Sequence, residues 1–306
     1  MIHRTFGRTG IQVSAVGLGT WAMGGDEWGP SDDQESVRVI RRAVELGVSL
    51  IDTADVYGAG HSETLVGEAV PPTADVVVVT KVGWDIYSSD TAGGSGTRYD
   101  DDYILHAFAQ SSARLQRTTI DVYLLHDPSM AVLRDGAAIE VLRHLKRAGQ
   151  VRWIGVSIGT EGEALEALRH QIDVIELPFN VVRTWAKPLV LDTARGAGVA
   201  VIAREPLERG LLSGRYGPGH RFTDGDHRAG KGDAWITRAG SAIRVVGDVA
   251  RRHDATSAQA ALAYVLGHQQ VSCVIAGARS LQQLDDNVAA AAIEVHPDEV
   301  EAALDA

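Results

Sequence analysis

Eight short apolar runs punctuate the chain, at 15–18, 48–51, 76–80, 120–125, 151–156, 174–177, 199–203 and 273–276. They are continuous rather than alternating, as expected of parallel strands buried on both faces. Between them lie longer stretches with helical spacing. Residues 36–46 place Val37, Ile40, Val44 and Leu46 along one side, and 139–148 place Leu142 and Leu145 similarly. The stretches 164–168, 189–195 and 258–266 read the same way. Eight strand–helix units predict an α/β chain, a (β/α)8 TIM barrel, with 1–306 as one domain.

A doubly wound open sheet is the competing topology. It usually opens with a G-x-G-x-x-G turn between the first strand and the first helix. Here the first run ends Gly17-Leu18-Gly19-Thr20-Trp21-Ala22. Alanine stands at the third glycine position, and Trp21 is too bulky for close approach to a pyrophosphate. The first helix begins only after Pro30-Ser31. The barrel is therefore preferred.

Three irregular segments complete the pattern. Residues 2–14 flank Gly7-Arg8-Thr9-Gly10 and predict a β-hairpin closing one barrel end. Residues 85–99 follow the third strand, and 205–233 follow the seventh. Long loops in a compact domain are usually functional. Both leave the C-terminal ends of strands, the face on which barrel sites are built.

Composition narrows the class. Of 306 residues, 45% are hydrophobic and 23% charged, an ordinary globular balance. A net charge of −11 argues against general binding to nucleic acid or an anionic membrane. Cys273 is the single cysteine, so an intramolecular disulfide is impossible and a cysteine-based metal cluster is not expected. Its apolar surroundings predict a buried thiol. Met1-Ile2-His3-Arg4-Thr5 lacks the apolar stretch of a secretory signal, and no run nears the roughly 18 apolar residues of a membrane span. A cytoplasmic setting is expected.

Four polar residues sit at or just beyond the ends of successive predicted strands: Asp52, Tyr57, Lys81 and His126. Charges at the ends of apolar strands are costly to bury singly, so they should pair. Strands two, three and four are neighbours in a closed barrel, which lets Asp52, Lys81 and His126 converge. A free tyrosine has a pKa of about 10. A lysine beside it lowers that value by stabilising the phenolate, and an aspartate holds the lysine charged. A neutral histidine can orient a carbonyl. Together they form a proton-donating site for reducing C=O. No protein group supplies the hydride, so a nicotinamide cofactor is implied. Taken singly, each residue has an ordinary structural explanation as an ion pair, a core histidine or a packing tyrosine. The four in this order do not.

At these residues the sequence resembles the aldo-keto reductase family. The resemblance rests on Val16-Gly17-Leu18-Gly19-Thr20-Trp21, Ile51-Asp52-Thr53-Ala54-Asp55-Val56-Tyr57-Gly58, Val79-Thr80-Lys81-Val82-Gly83 and Ile120-Asp121-Val122-Tyr123-Leu124-Leu125-His126. It continues through Ile154-Gly155-Val156-Ser157, Pro206-Leu207 with Gly210-Leu211-Leu212-Ser213-Gly214, and Ile275-Ala276-Gly277-Ala278-Arg279-Ser280 to Asn287. It implies a (β/α)8 barrel binding extended NAD(P)(H), Tyr57 as proton donor, Lys81 and Asp52 tuning it, and His126 orienting the carbonyl. It further implies that Gly19, Thr20, Trp21 and Asp52 meet the nicotinamide ribose and that Ser157 binds the carboxamide. Pro206, Leu207, Gly210 and Ser213 would cover the pyrophosphate. Gly277, Arg279, Gln283, Asp286 and Asn287 would hold the adenosine end, where a helix N-terminus near Ser280 favours phosphate.

Three positions depart from the family pattern. Ile158 follows Ser157 where a polar residue is common. Glu176 stands at the carboxamide-binding glutamine, and a carboxylate accepts but cannot donate. Arg204-Glu205 stands where an aromatic stacks on the nicotinamide. Arg204 could stack there or pair with Glu205. NADP(H) is the expected cofactor, with NAD(H) as the alternative. A 2′-phosphate wants a guanidinium or ammonium, and Arg279, Arg221 and Arg228 are the candidates. The substrate, a small carbonyl or alcohol, is expected against Trp21, Tyr57, Trp84, His126 and Asp127. A reductase is the leading reading. An NAD-dependent sugar or alcohol dehydrogenase and a cofactor-binding regulatory subunit with little turnover are the alternatives. No metal is expected.

Overall fold

The computed structural model describes residues 1–25, 27–88, 96–217 and 219–305. The N-terminal strands β1 (His3–Thr5) and β2 (Gln12–Ser14) pair antiparallel, with Arg4 opposite Val13. The hairpin is as expected from the glycine-flanked turn. Eight parallel strands then close into a barrel: β3 (Val16–Gly19), β4 (Leu50–Asp52), β5 (Val77–Val82), β6 (Ile120–His126), β7 (Val151–Ser157), β8 (Val174–Pro178), β9 (Ala200–Arg204) and β10 (Cys273–Gly277). They neighbour one another in chain order, and β10 closes on β3 through Gly277 opposite Gly19.

Helices cover the outside. Asp33–Glu45, Ala137–Arg147, Glu161–Leu168, Leu189–Gly196 and Ser257–Gly267 match the expected stretches within a few residues. Caps explain several boundaries. Asp32 accepts from Gln34 N and Glu35 N, and Thr160 and Thr256 each form a reciprocal capping box with the residue three positions on. Helix His61–Ala69 escapes periodicity because its buried face is partly polar. Ser62 and Glu63 are buried there and bond Thr20, Thr53 and Thr80. Asp101–Arg114 and Gly240–Arg252 also lie outside the expected set. The second of these carries the signal in the spacing of Ala242, Val246, Val249 and Ala250.

Strand alternation divides the core in two. Val78, Tyr123, Leu125, Ile154, Ile175 and Val201 point outward to the helices. Leu50, Val77, Val79, Val122, Leu124, Val174 and Ile202 point inward. Phe6 and Val13 of the hairpin join this inner cluster, with Phe6 set edge-on to Trp153 at 6.3 Å. The hairpin therefore plugs the N-terminal end of the barrel. Cys273 is buried in the same layer, and burial raises its thiol well out of the reactive range.

The two long loops turn out differently. Of 85–99, residues 89–95 lie outside the described set, and Trp84 bridges to Thr97 across the segment. The 205–233 segment carries 3-10 turns at Leu211–Ser213 and Ala229–Lys231, and Leu211 packs against Ile236 and Ala239. Helix Gly232–Arg238 begins before the expected loop ends.

Candidate active site

Following the inward face at every second residue shows how the site is made. Leu50 leads to Asp52, Val79 to Lys81, Leu124 to His126, Val174 to Glu176 and Ile202 to Arg204. The same parity places Ser157 on β7, and Gly19 and Gly277 on β3 and β10. The last inward layer of an otherwise apolar barrel is therefore polar, with two carboxylates, one ammonium and one guanidinium.

Lys81 is fully buried. Its ammonium donates to both Asp52 oxygens at 2.7 Å and to Thr53 O at 2.9 Å. The Tyr57 hydroxyl lies at 3.5 Å. Glu176 Oε1 lies at 3.6 Å from the opposite side of the barrel. Burial lowers and the surrounding carboxylates raise the lysine, and the carboxylates win, so Lys81 stays charged. Burial, reinforced by Glu176, raises the Asp52 carboxyl against the pull of Lys81.

Tyr57 comes from the turn after β4. Gly58 makes that turn workable: it adopts φ +61°, and a Cβ there would fall 2.0 Å from Gly24 O. The Tyr57 ring stacks on Trp21 at 6.0 Å and meets His126 edge-on at 5.9 Å. Burial pushes its phenol up. Lys81 pulls it down, and Asp52 and Glu176 push it up again. The expectation that the lysine would make this tyrosine unusually acidic is therefore corrected. The charge of Lys81 is already answered by two carboxylates, so burial decides the sign. His126 behaves as expected. Burial, with Lys81 and Arg204 nearby, drives its imidazole well below the usual range, so it is neutral. Its Nδ1 is buried without a partner among the described residues.

Above this layer opens a cavity of about 1020 Å³. Trp21, Tyr57, Trp84, His126 and Asp127 all line it. So do Gly19, Asp52, Glu176 and Arg204 at its base, Pro206, Leu207, Gly210, Ser213 and Arg228 along one wall, and Gly277, Arg279, Gln283, Asp286 and Asn287 at the far end. Thr20 does not face it. Strand parity turns its hydroxyl to Asp52 O at 2.9 Å and Ser62 Oγ at 2.7 Å. Ser157 lies beneath the surface and donates to Glu176 Oε1 at 3.0 Å. Arg221 is exposed and away from the cavity.

Several expected cations are already engaged. Arg204 pairs with Glu205 at 2.6 Å and reaches Asp127 Oδ1 and Ile158 O at 3.3 Å. Of the two roles open to it, pairing is the one it adopts. Arg228 is gripped by Asp226 at 2.6 and 2.9 Å and lies over Trp28 and Phe222. It shapes the wall more than it offers charge. Arg279 donates to Trp28 O at 2.8 Å and to Pro30 O, with no carboxylate partner among the described residues. Sequence reading missed Glu27 and Trp28, which also line the cavity. Their signal was an aromatic in a glycine-rich loop at a strand's C-terminal end. Arg209 was missed too. It bonds Glu205 at 2.8 Å and lies over Trp21.

The cavity fits a dinucleotide. It extends from the polar layer to helix Leu281–Ala289, whose N-terminus is capped by Ser280. At its base Glu176 Oε2 is buried and has no hydrogen-bond partner among the described residues, so it could accept from an amide NH2. Among the described residues, no cluster of His, Cys, Asp or Glu could hold a metal, and no helix is long and apolar enough to cross a membrane.

Comparison with known proteins agrees with this architecture. Residues 15–306 match the model of the Aldo/keto reductase family. An aldo-keto reductase of Bacillus subtilis is 33% identical over 233 residues, covering 74% of this chain and 69% of that protein. An NADH-specific methylglyoxal reductase of Escherichia coli is 32% identical, covering 93% of this chain and 91% of that one. Among solved structures, the holo form of an aldo-keto reductase from Bacillus halodurans superposes with a TM-score of 0.81 at 27% identity, over 99% of this chain and 96% of the other. A glycerol dehydrogenase from Gluconobacter oxydans gives 0.83 at 27% identity, over 99% and 94%. A barrel closed in this order, with that polar layer and a family match running almost its whole length, leaves one assignment: the chain belongs to the aldo/keto reductase family.

Proposed function

We propose that the protein reduces an aldehyde or ketone to the alcohol, with NADP(H) as cofactor and Tyr57 as proton donor. The observation that carries this reading is the Tyr57 hydroxyl, 3.5 Å from the Lys81 ammonium and lining a dinucleotide-sized cavity. When bound, the reduced nicotinamide supplies a hydride to the carbonyl carbon. This chain's residues do the rest. Neutral His126 orients the carbonyl oxygen, Tyr57 gives it a proton, and Asp52 holds Lys81 beneath the phenol. Trp21, Trp84 and Tyr57 form an aromatic rim suited to flat or apolar carbonyls.

Arg279 supports NADPH because it is the cation at the adenosine end without a carboxylate partner among the described residues. NADH is the second reading, and a specific observation favours it. The Arg279 guanidinium is bonded to Trp28 O and Pro30 O, and the Asp286 carboxylate lines the same end. The NADH-specific relative from Escherichia coli points the same way. Titration of tryptophan fluorescence with each cofactor, followed by turnover of 4-nitrobenzaldehyde, tests both. Tighter NADPH binding with turnover supports the proposal. NADH preference moves it to the second reading, and binding without turnover on any carbonyl or alcohol would fit a regulatory subunit. Arg279→Ala should weaken NADPH more than NADH. Equal losses would remove its role at the 2′-phosphate.

A further inference from the structure

We infer that Asp127 determines specificity at the carbon beside the carbonyl: its carboxylate accepts from a hydroxyl there, so the protein selects α-hydroxy aldehydes and ketones. The inference rests on the reductase reading and deepens it.

Asp127 follows the last residue of β6, His126. Its backbone turns at φ +51°, a left-handed conformation that aspartate and asparagine tolerate better than most side chains. Its amide donates to Ser157 O at 2.8 Å, which ties the turn to the neighbouring strand β7. The turn leaves the side chain on the cavity wall, 38% exposed.

The two carboxylate oxygens have different surroundings. Oδ1 accepts from Arg204 Nη2 at 3.3 Å, and Arg204 is itself anchored by Glu205 at 2.6 Å. Oδ2 has no hydrogen-bond donor among the described residues and stands 3.9 Å from His126 Nε2, too far for a bond. His126 Nδ1 is buried, which leaves Nε2 as the ring nitrogen turned to the cavity. Its N–H is thus free for the carbonyl oxygen. Whatever the substrate carries beside that oxygen meets Asp127 Oδ2. In an α-hydroxy carbonyl the two oxygens sit side by side on adjoining carbons, so one substrate answers both groups.

The chemistry of Oδ2 decides which neighbour it takes. A carboxylate oxygen accepts and cannot donate. A hydroxyl gives it a charge-assisted hydrogen bond, the stronger kind. A second carbonyl would set acceptor against acceptor, and a methyl would shield the oxygen from water without replacing it. Both are unfavourable. Burial already raises the Asp127 carboxyl against the pull of Arg204, so a substrate that offers no donor adds to a cost already present.

The test compares kcat/KM for α-hydroxyacetophenone and α-fluoroacetophenone, with each cofactor. Fluorine is about as large as a hydroxyl and withdraws electrons more strongly, but it has no proton to donate. Wild type should favour the hydroxy ketone by about tenfold or more. In Asp127→Asn the amide oxygen should turn to the Arg204 guanidinium, which places NH2 where Oδ2 stood. A donor then faces the substrate, and the preference should fall to near parity or invert. Asparagine tolerates the positive φ, so the turn is kept. A preference that persists undiminished in Asp127→Asn overturns the inference. Should that variant not fold, Asp127→Gly, at home at positive φ, must lower the same ratio. A wild type that reduces 4-nitrobenzaldehyde but does not favour the hydroxy ketone, whether it uses both ketones equally or neither, also overturns it. A wild type that reduces none of the three carbonyls overturns the reductase reading, and the inference falls with it.

Discussion

At the scale of single residues, two side chains carry opposite kinds of demand. Tyr57 has a chemical one. Its hydroxyl bonds Lys81 weakly at 3.5 Å, so little of the fold rests on it. Tyr57→Phe should therefore lower turnover by a factor of roughly 100 to 10,000 while leaving cofactor affinity nearly unchanged. Steady-state kinetics beside a fluorescence titration separates the two, and wild-type turnover would end its role as donor. Lys81 has a structural demand as well. It is fully buried and answers both Asp52 and Glu176. Lys81→Met leaves buried Asp52 without its cation and Glu176 with only the Arg204 guanidinium at 3.9 Å, which should cost about 3–5 kcal/mol. Urea denaturation measures it. A loss under about 1 kcal/mol would mean that the carboxylates relax or take up protons more cheaply than the geometry implies.

At the scale of elements, the site depends on strands that end in register and on a plug that closes the far end. The hairpin supplies Phe6, fully buried within the inner cluster that supports the polar layer from below. Phe6→Ala should destabilise by about 3–5 kcal/mol. The polar layer lies at the other end of the barrel, so KM for the carbonyl should change little. A large KM effect with intact stability would contradict the separation of plug and site. The segment after β9 shows a different dependence. Glu205, Glu208 and Arg209 all adopt positive φ, and Glu205 is clasped by Arg204, Arg209 and Arg183. An ion cluster thus holds a backbone shape that these residues rarely choose.

At the scale of the whole molecule, that cluster predicts an acid response. Burial alone would raise the Glu205 carboxyl. The hydrogen bond from Arg209 and the charges of Arg204, Arg209 and Arg183 outweigh it and pull it from the ordinary 4.5 to about 2. The folded value lies below the unfolded one, so this stabilisation is complete above about pH 4.5 and is lost as pH falls toward about 2. Its size is of the order of 3 kcal/mol. Denaturation of wild type and Glu205→Gln across that range should show their stability gap shrinking as the solution becomes more acid, and a constant gap would refute the linkage. By itself the sequence determined the barrel, because eight continuous apolar runs separated by amphipathic stretches have few other ways to bury both strand faces. It also determined Asp52, Lys81 and His126 as a set, because charges ending apolar strands must converge once those strands are neighbours. What needed tertiary structure was how the charges are shared. Closure of the ring buried Tyr57, which is what reversed its expected acidity, and brought Glu176 across to Lys81, a contact between strands far apart in the chain. Strand parity turned Thr20 away from the cavity, and the loops after β3 and β9 drew Arg279 and Arg228 onto carbonyls and Asp226. Pattern reads which residues lie at a strand's end, whereas the electrostatics at that end depends on distances between residues that only the closed barrel fixes.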